Sequence, residues 1–189
     1  APGRPLPSAH HGGAVEGRRR LRWENVVGLG EMMECSRGSR GEGAVLEKLR
    51  AAGAGPRDGH APGVKGKELN AYLAPLIGSD HESTELEEGL EKLRRGQYLM
   101  IREGSAEKNL EALLPLVTDQ TYHRCMLVVD DRDPLDIYQD GDMDAIIRKA
   151  IRLGLDPIRA IRMATLNPAT YFRLEGIGGI APGYWANLL

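Results

Sequence analysis

The chain has 189 residues, 28% of them charged and 41% hydrophobic, with a formal net charge of −2. That is enough apolar material for one folded core, and the near-neutral balance gives no reason to expect a nucleic-acid partner. No apolar run approaches the roughly 20 residues of a membrane helix, and two cysteines, Cys35 and Cys125, are too few for a disulfide framework, so reduced thiols in the cytoplasm are expected.

Residues 1–23 stand apart. Five arginines face only Glu16, a net of +4, which leaves −6 for residues 24–189. Prolines and glycines interrupt the segment and no apolar periodicity runs through it, so a disordered, solvated tail is expected. Its first residues lack the continuous apolar stretch of a secretion signal.

From Glu24 the chain alternates between two patterns. Val26–Gly30, Gln97–Ile101 and Cys125–Val129 are short runs rich in strand formers, as in strands buried on both faces. Weaker strands are expected just before Asp58-Gly59-His60 and Asp80-His81; the first of these has Gly53, Gly55, Pro56 and Arg57 where β-branched residues would be usual. Helical stripes lie between: Leu69, Tyr72, Leu73 and Leu76; Leu86, Leu90 and Leu93 behind a Thr84-x-x-Glu87 capping box; then Leu110, Leu113, Leu114 and Val117. Ile146, Ile147, Ala150 and Ile151 make another stripe that stops at Gly154. Asp156-Pro157 and Asn167-Pro168 look like helix restarts. Five strand–helix units in this order predict a parallel α/β sheet.

In such folds the chemistry gathers at the carboxyl ends of the strands. Those ends carry Glu31, His60, His81, Arg102-Glu103 and Asp130-Asp131. One glutamate, two histidines and an aspartate form a nitrogen and carboxylate set suited to Zn²⁺, Fe²⁺ or Mn²⁺. Taken singly, each has an ordinary alternative: a hydrogen-bonded structural histidine or a helix-capping carboxylate. Four at successive strand ends favour a metal. His10, His11 and His123 do not join the set and are expected on the surface.

Several segments resemble the bacterial and archaeal adenine deaminases of the amidohydrolase superfamily. They are Gly28-Leu29-Gly30-Glu31-Met32-Met33, Asp58-Gly59-His60-Ala61-Pro62-Gly63, Gly66-Lys67-Glu68-Leu69-Asn70-Ala71-Tyr72, Ser79-Asp80-His81-Glu82 and Met100-Ile101-Arg102-Glu103-Gly104-Ser105-Ala106. Met163-Ala164-Thr165-Leu166-Asn167-Pro168-Ala169 and Ile180-Ala181-Pro182-Gly183 resemble the superfamily's closing signature. The resemblance implies part of a TIM-like (β/α) barrel, about strands four to eight, over residues 24–175, followed by the start of a β-rich flanking domain at 176–189. It implies a dinuclear site, Mn or Fe with Zn as an alternative, held by Glu31, His60, His81 and Asp130. Glu31 would bridge the ions, Asp130 would handle the proton, and His81 would also polarise the substrate ring. Arg102, Glu103 or Ser105 would read the edge of a small-molecule substrate, adenine. The implied reaction is hydrolytic deamination of that cyclic amidine to hypoxanthine and ammonia, in purine salvage, by a protein that is a homo-oligomer when intact.

The sequence also departs from the family. The strand-one His-x-His pair is absent, and so are strands one to three, so two metal ligands are missing. A complete barrel needs about 250 residues. Residues 34–43 are unusually basic for the family. These departures predict a chain that is a poor deaminase by itself and whose unclosed sheet edges invite association. The alternatives are an amidohydrolase acting on another cyclic amidine or amide, and a catalytically dead, truncated remnant.

Overall fold

The computed structural model describes residues 14–23 and 26–188. Five short strands run through it: β1 (Leu29–Met32), β2 (Arg57–Gly59), β3 (Ser79–Asp80), β4 (Tyr98–Arg102) and β5 (Cys125–Val128). Helix α1 (Ala14–Arg20) precedes β1, and α2 (Cys35–Ser39) and α3 (Gly43–Ala51) lie between β1 and β2. α4 (Gly66–Leu73) follows β2, α5 (Leu86–Arg94) follows β3 and α6 (Leu110–Leu113) follows β4. After β5 come α7 (Pro134–Asp140), α8 (Met143–Arg152), α9 (Pro157–Ala164) and α10 (Leu166–Phe172).

The pairing is parallel throughout: β1 with β2, β3 with β4, and β4 with β5. The ladders form two sheets, β1-β2 and β3-β4-β5, where the sequence predicts one. The sheets nonetheless abut. Gly78 N donates to Arg57 O at 2.9 Å, next to the seam. A Cβ on Gly59 would stand 2.4 Å from Ser79 O, so only glycine allows this approach. Tyr171 of α10 closes the gap. Its buried hydroxyl donates to Asp58 Oδ1 at 2.8 Å and lies 3.1 Å from Arg57 O and 3.0 Å from Ser79 Oγ.

Alternation along β4 and β5 separates two apolar layers. Leu99, Ile101, Cys125 and Leu127 pack with Leu110, Leu113, Ile146, Ala160 and Met163 from the helices. Met100 and Met126 face the other way, onto Tyr171. A second cluster, with Met32, Val45, Leu49, Tyr72 and Ile77, packs α3 and α4 onto β1 and β2.

Several elements lie where the sequence predicts them. Asp156 caps α9, its side chain accepting from Arg159 N at 3.0 Å with Pro157 in the first turn. α8 ends at Arg152, ahead of Gly154. Others differ. β1 lies at 29–32 and not 26–30, which places Glu31 inside the strand. The stripe through Leu76 overruns α4: Leu76 sits beyond the helix with φ 67° and is 73% exposed. The Thr84–Glu87 capping box does not form, because α5 begins at Leu86 behind Glu85 and makes no side-chain cap bond. Residues 14–20, expected without order, form α1, where Glu16 pairs with Arg19 at 3.0 Å and Arg20 at 2.9 Å. That is the (i, i+3) and (i, i+4) spacing that supports a helix. Residues 1–13, with His10 and His11, lie outside the described residues. Across 176–188, expected to begin a β-rich segment, the described chain makes turns, with Trp185 N donating to Gly176 O at 2.8 Å.

Both cysteines are free, and no described helix is long and apolar enough to cross a membrane. Burial pushes the Cys125 thiol up to about 12. Cys125 should therefore react with Ellman's reagent at pH 8 only as the chain unfolds; fast stoichiometric reaction in native buffer would refute this packing. Replacing Tyr171 by Phe removes the seam hydroxyl and takes one donor from the half-buried Asp58 carboxylate. Urea denaturation should show a loss of about 1–3 kcal/mol with an unchanged m-value.

Candidate metal centre

The carboxyl ends of β1, β2 and β3 bring three side chains to one point. Glu31 Oε2 lies 3.2 Å from His60 Nδ1 and 3.1 Å from His81 Nε2. The two imidazoles meet edge to face with centroids 5.5 Å apart. The three ligand atoms all fall within 4.8 Å of one another. Donors held about 2.1 Å from one ion at roughly 90–110° lie about 3.0–3.4 Å apart. Both measured separations fall in that span, so this two-histidine, one-carboxylate set fits a divalent ion. Such a set suits Mn²⁺, Fe²⁺ and Zn²⁺ alike.

The backbone beneath is fixed by buried polar groups. Tyr72 of α4 donates to Met32 O at 2.8 Å, and its oxygen accepts from His60 N at 3.0 Å, joining the ends of β1 and β2. Burial pushes its phenol well above the usual range, so it stays neutral. Cys35 donates to His60 O, and burial raises its thiol too. Asp58, below His60, has its carboxyl raised by burial, against hydrogen bonds from Tyr171 and Ser79 that favour its ionised form.

Asp130 joins from β5. It takes a left-handed turn of φ 61° just past the strand and is exposed. With His81 and Glu82 it makes a second cluster whose ligand atoms lie within 4.8 Å of each other. Glu82 is the residue that the sequence analysis passes over. Its Oε1 stands 3.3 Å from His60 Nδ1 and 3.2 Å from His81 Nε2, facing the same nitrogens as Glu31. Its position directly after His81, on the loop at the rim, is the available signal.

Of the three residues expected to read a substrate edge, only Arg102 reaches this rim. Its Nη1 donates to Glu82 Oε1 at 2.6 Å and Asp130 Oδ2 at 2.9 Å. Burial opposes its charge, but the bond to Asp130 and the Glu82 carboxylate hold its guanidinium above the ordinary range. Glu103 points away, accepting from Lys149 Nζ at 2.5 Å and Leu110 N at 3.2 Å. Ser105 is engaged with Asp136 and with Asp133 N at the start of α7. Asp131 also turns aside. Its Oδ2 accepts from Ala106 N at 2.6 Å, which lowers its carboxyl. His123 is exposed ahead of β5 and takes no part.

Residues 44–189 match the amidohydrolase family, and the chain belongs to it. A solved β-aspartyl dipeptidase from Fervidobacterium islandicum superposes with a TM-score of 0.62 at 20% identity, over 90% of this chain and 54% of that one. Family and superposition together imply an α/β fold of the TIM-barrel type. Within the family, an adenine deaminase of Dehalococcoides mccartyi is 60% identical over 169 residues, 89% of this chain and 30% of that protein. One from Oceanobacillus iheyensis is 47% identical over 87% of this chain and 29% of its own length. Adenine deaminase 2 of Carboxydothermus hydrogenoformans is 44% identical over 98% of this chain, so that match takes in most of the N-terminal segment as well. The chain spans about a third of the length of these curated relatives.

Because Glu103 faces Lys149 and α6, its loss should affect folding and not metal. Glu103→Gln should cost about 1–2 kcal/mol in chemical denaturation while leaving Mn²⁺ affinity within twofold. A large fall in affinity would place Glu103 at the rim after all.

Proposed function

We propose that this chain supplies strands four to eight of an adenine deaminase barrel and, with them, one half of its active site. The reaction is hydrolytic deamination of adenine to hypoxanthine and ammonia. The observation that carries this is the convergence of Glu31, His60 and His81 from three successive parallel strands, in a chain 60% identical to a protein named adenine deaminase.

Glu31, His60 and His81 would hold one divalent ion, and Asp130, clustered with His81 and Glu82, would offer a donor to a second. When bound, the divalent centre supplies Lewis acidity and activates water near neutral pH. The chain's own part is positioning and proton transfer. Asp130, exposed and turned toward the rim, accepts the proton of the attacking water and returns it to the departing amine, as general base and then acid. Arg102 holds Asp130 and Glu82 in place. Its guanidinium is occupied by both, so its contribution is to position them, and any direct contact with the purine edge is secondary. Glu103 and Ser105, committed to α6, Lys149 and α7, are left out of substrate binding. The two free cysteines support a reducing compartment, the cytoplasm, as the place of work.

Adenine-dependent ammonia release tests this with Mn²⁺ or Fe²⁺ present. The chain alone should turn over little. Co-expression with the part of the D. mccartyi relative that this chain does not cover should yield ammonia and hypoxanthine in equal amounts. Asp130→Asn should then lower kcat by about 10²–10⁴-fold. A complemented, metal-loaded protein that leaves adenine intact, or that hydrolyses a different cyclic amidine or amide, overturns the assignment.

A further inference from the structure

We propose that Lys92 is a positioning residue for the two histidine ligands. This rests on the metal-centre reading above and adds to it the device that sets the spacing of His60 and His81.

Lys92 lies on α5 and its side chain is wholly buried. Its Nζ is surrounded by four oxygens, Ala61 O at 2.7 Å, Asp80 Oδ2 at 2.8 Å, Glu88 Oε1 at 2.7 Å and Ser83 Oγ at 3.1 Å, which share its three N–H donors. Ala61 directly follows His60, and Asp80 directly precedes His81. One ammonium therefore grips the backbone beside one ligand and the side chain beside the other. Its two carboxylates extend the grip. Asp80 Oδ1 accepts from Ala61 N at 2.9 Å, and Asp80 Oδ2 accepts from Glu82 N, Ser83 N and Ser83 Oγ at 2.9–3.1 Å. Glu88 Oε1 accepts from Gly63 N at 2.8 Å. Residues 61–63 and 80–83 thus share one polar cage with Lys92 at its centre.

A core that needed only volume here would be served as well by apolar side chains, because buried ions are costly to desolvate. What the ammonium adds is direction: three N–H bonds aimed at two loops and a helix. Groups that orient metal ligands from behind typically account for about 10–100-fold in metal affinity. Lys92 is wholly buried and its Nζ is held by protein oxygens, so it acts through the histidines.

The test is Mn²⁺ binding to the chain by equilibrium dialysis, beside thermal melts. Folded Lys92→Met should bind Mn²⁺ about 10–100-fold more weakly than the wild type. Ser83→Ala and Glu88→Gln each release one loop while leaving Lys92 paired with a carboxylate, and each should weaken binding about 2–10-fold. Asp156→Ala, a lost cap on the distant α9, should lower stability and leave affinity unchanged, which separates positioning from mere destabilisation. A wild-type chain that binds no Mn²⁺ overturns the metal-centre reading and this proposal together. A wild type that binds, with folded Lys92→Met equal to it, overturns the positioning role alone. Should Lys92→Met fail to fold, affinities of Ser83→Ala and Glu88→Gln within twofold of wild type overturn it.

Discussion

The seam between β2 and β3 is the constraint on which the rim depends. His60 and His81 stand at its two lips, and their separation is the separation of those strands. Here the ladder gives way to closer contact. Gly59 lies against Ser79 with no room for a Cβ, and Tyr171 reaches in from α10 to donate to Asp58, beside Arg57 O and Ser79 Oγ. Parallel strands as short as two or three residues carry few ladder bonds of their own. Side-chain hydrogen bonds from distant helices therefore do what longer ladders do elsewhere. Tyr72 performs the same service between β1 and β2.

This explains a division of labour in the interior. Around β4 and β5 the core is apolar and built from helices α6, α8 and α9. Beneath the histidines it is polar, with Ser79, Asp80, Glu88, Lys92 and two buried tyrosines out of solvent and Asp58 half-buried. Apolar packing is tolerant of small shifts and of volume-conserving exchange. Hydrogen bonds between buried groups are directional and costly to leave unmade. A site whose donor separations must be held to within a few tenths of an ångström belongs over the second kind of core. The polar core is also the part with least ladder support, so its specificity comes from side chains.

The same division decided what could be read from the sequence. β4 and β5 are continuous apolar runs and stand out. β2 and β3 read poorly because their residues serve polar ends: Arg57 is buried in order to donate to Leu49 O and Gly53 O at the end of α3, and Ser79-Asp80 belongs to the seam and the cage. Their positions are legible through Asp58-Gly59-His60 and Asp80-His81 and, for β3, through Leu76-Ile77. Glu31, His60 and His81 meet as the strand-end argument predicts. Glu103 points away from the rim for a simple reason. Consecutive residues of an extended chain face opposite sides, so Arg102 at the rim sends Glu103 to α6 and Lys149. Glu82 escaped notice because it lies one residue past the strand-end position, on a loop whose direction the strand pattern does not set. Helix α1 was hidden by composition: counting arginines suggests a solvated tail, while the spacing of Glu16 to Arg19 and Arg20 supports a turn of helix.

Glu82 and Arg102 bear on how the centre is held together. Two carboxylates, Glu31 in β1 and Glu82 on the loop after β3, face the same pair of histidine nitrogens, and a third, Asp130, stands nearby. Without compensation such a cluster would repel itself. Arg102 answers this by binding Glu82 and Asp130 with one guanidinium, itself almost wholly buried. A divalent ion at Glu31, His60 and His81 would supply the rest of the positive charge. The rim thus carries one fixed cation from β4, and an ion at the three strand ends would complete the balance. Glu31 has no lysine or arginine partner among the described ion pairs, which suits the proposed role as a metal ligand.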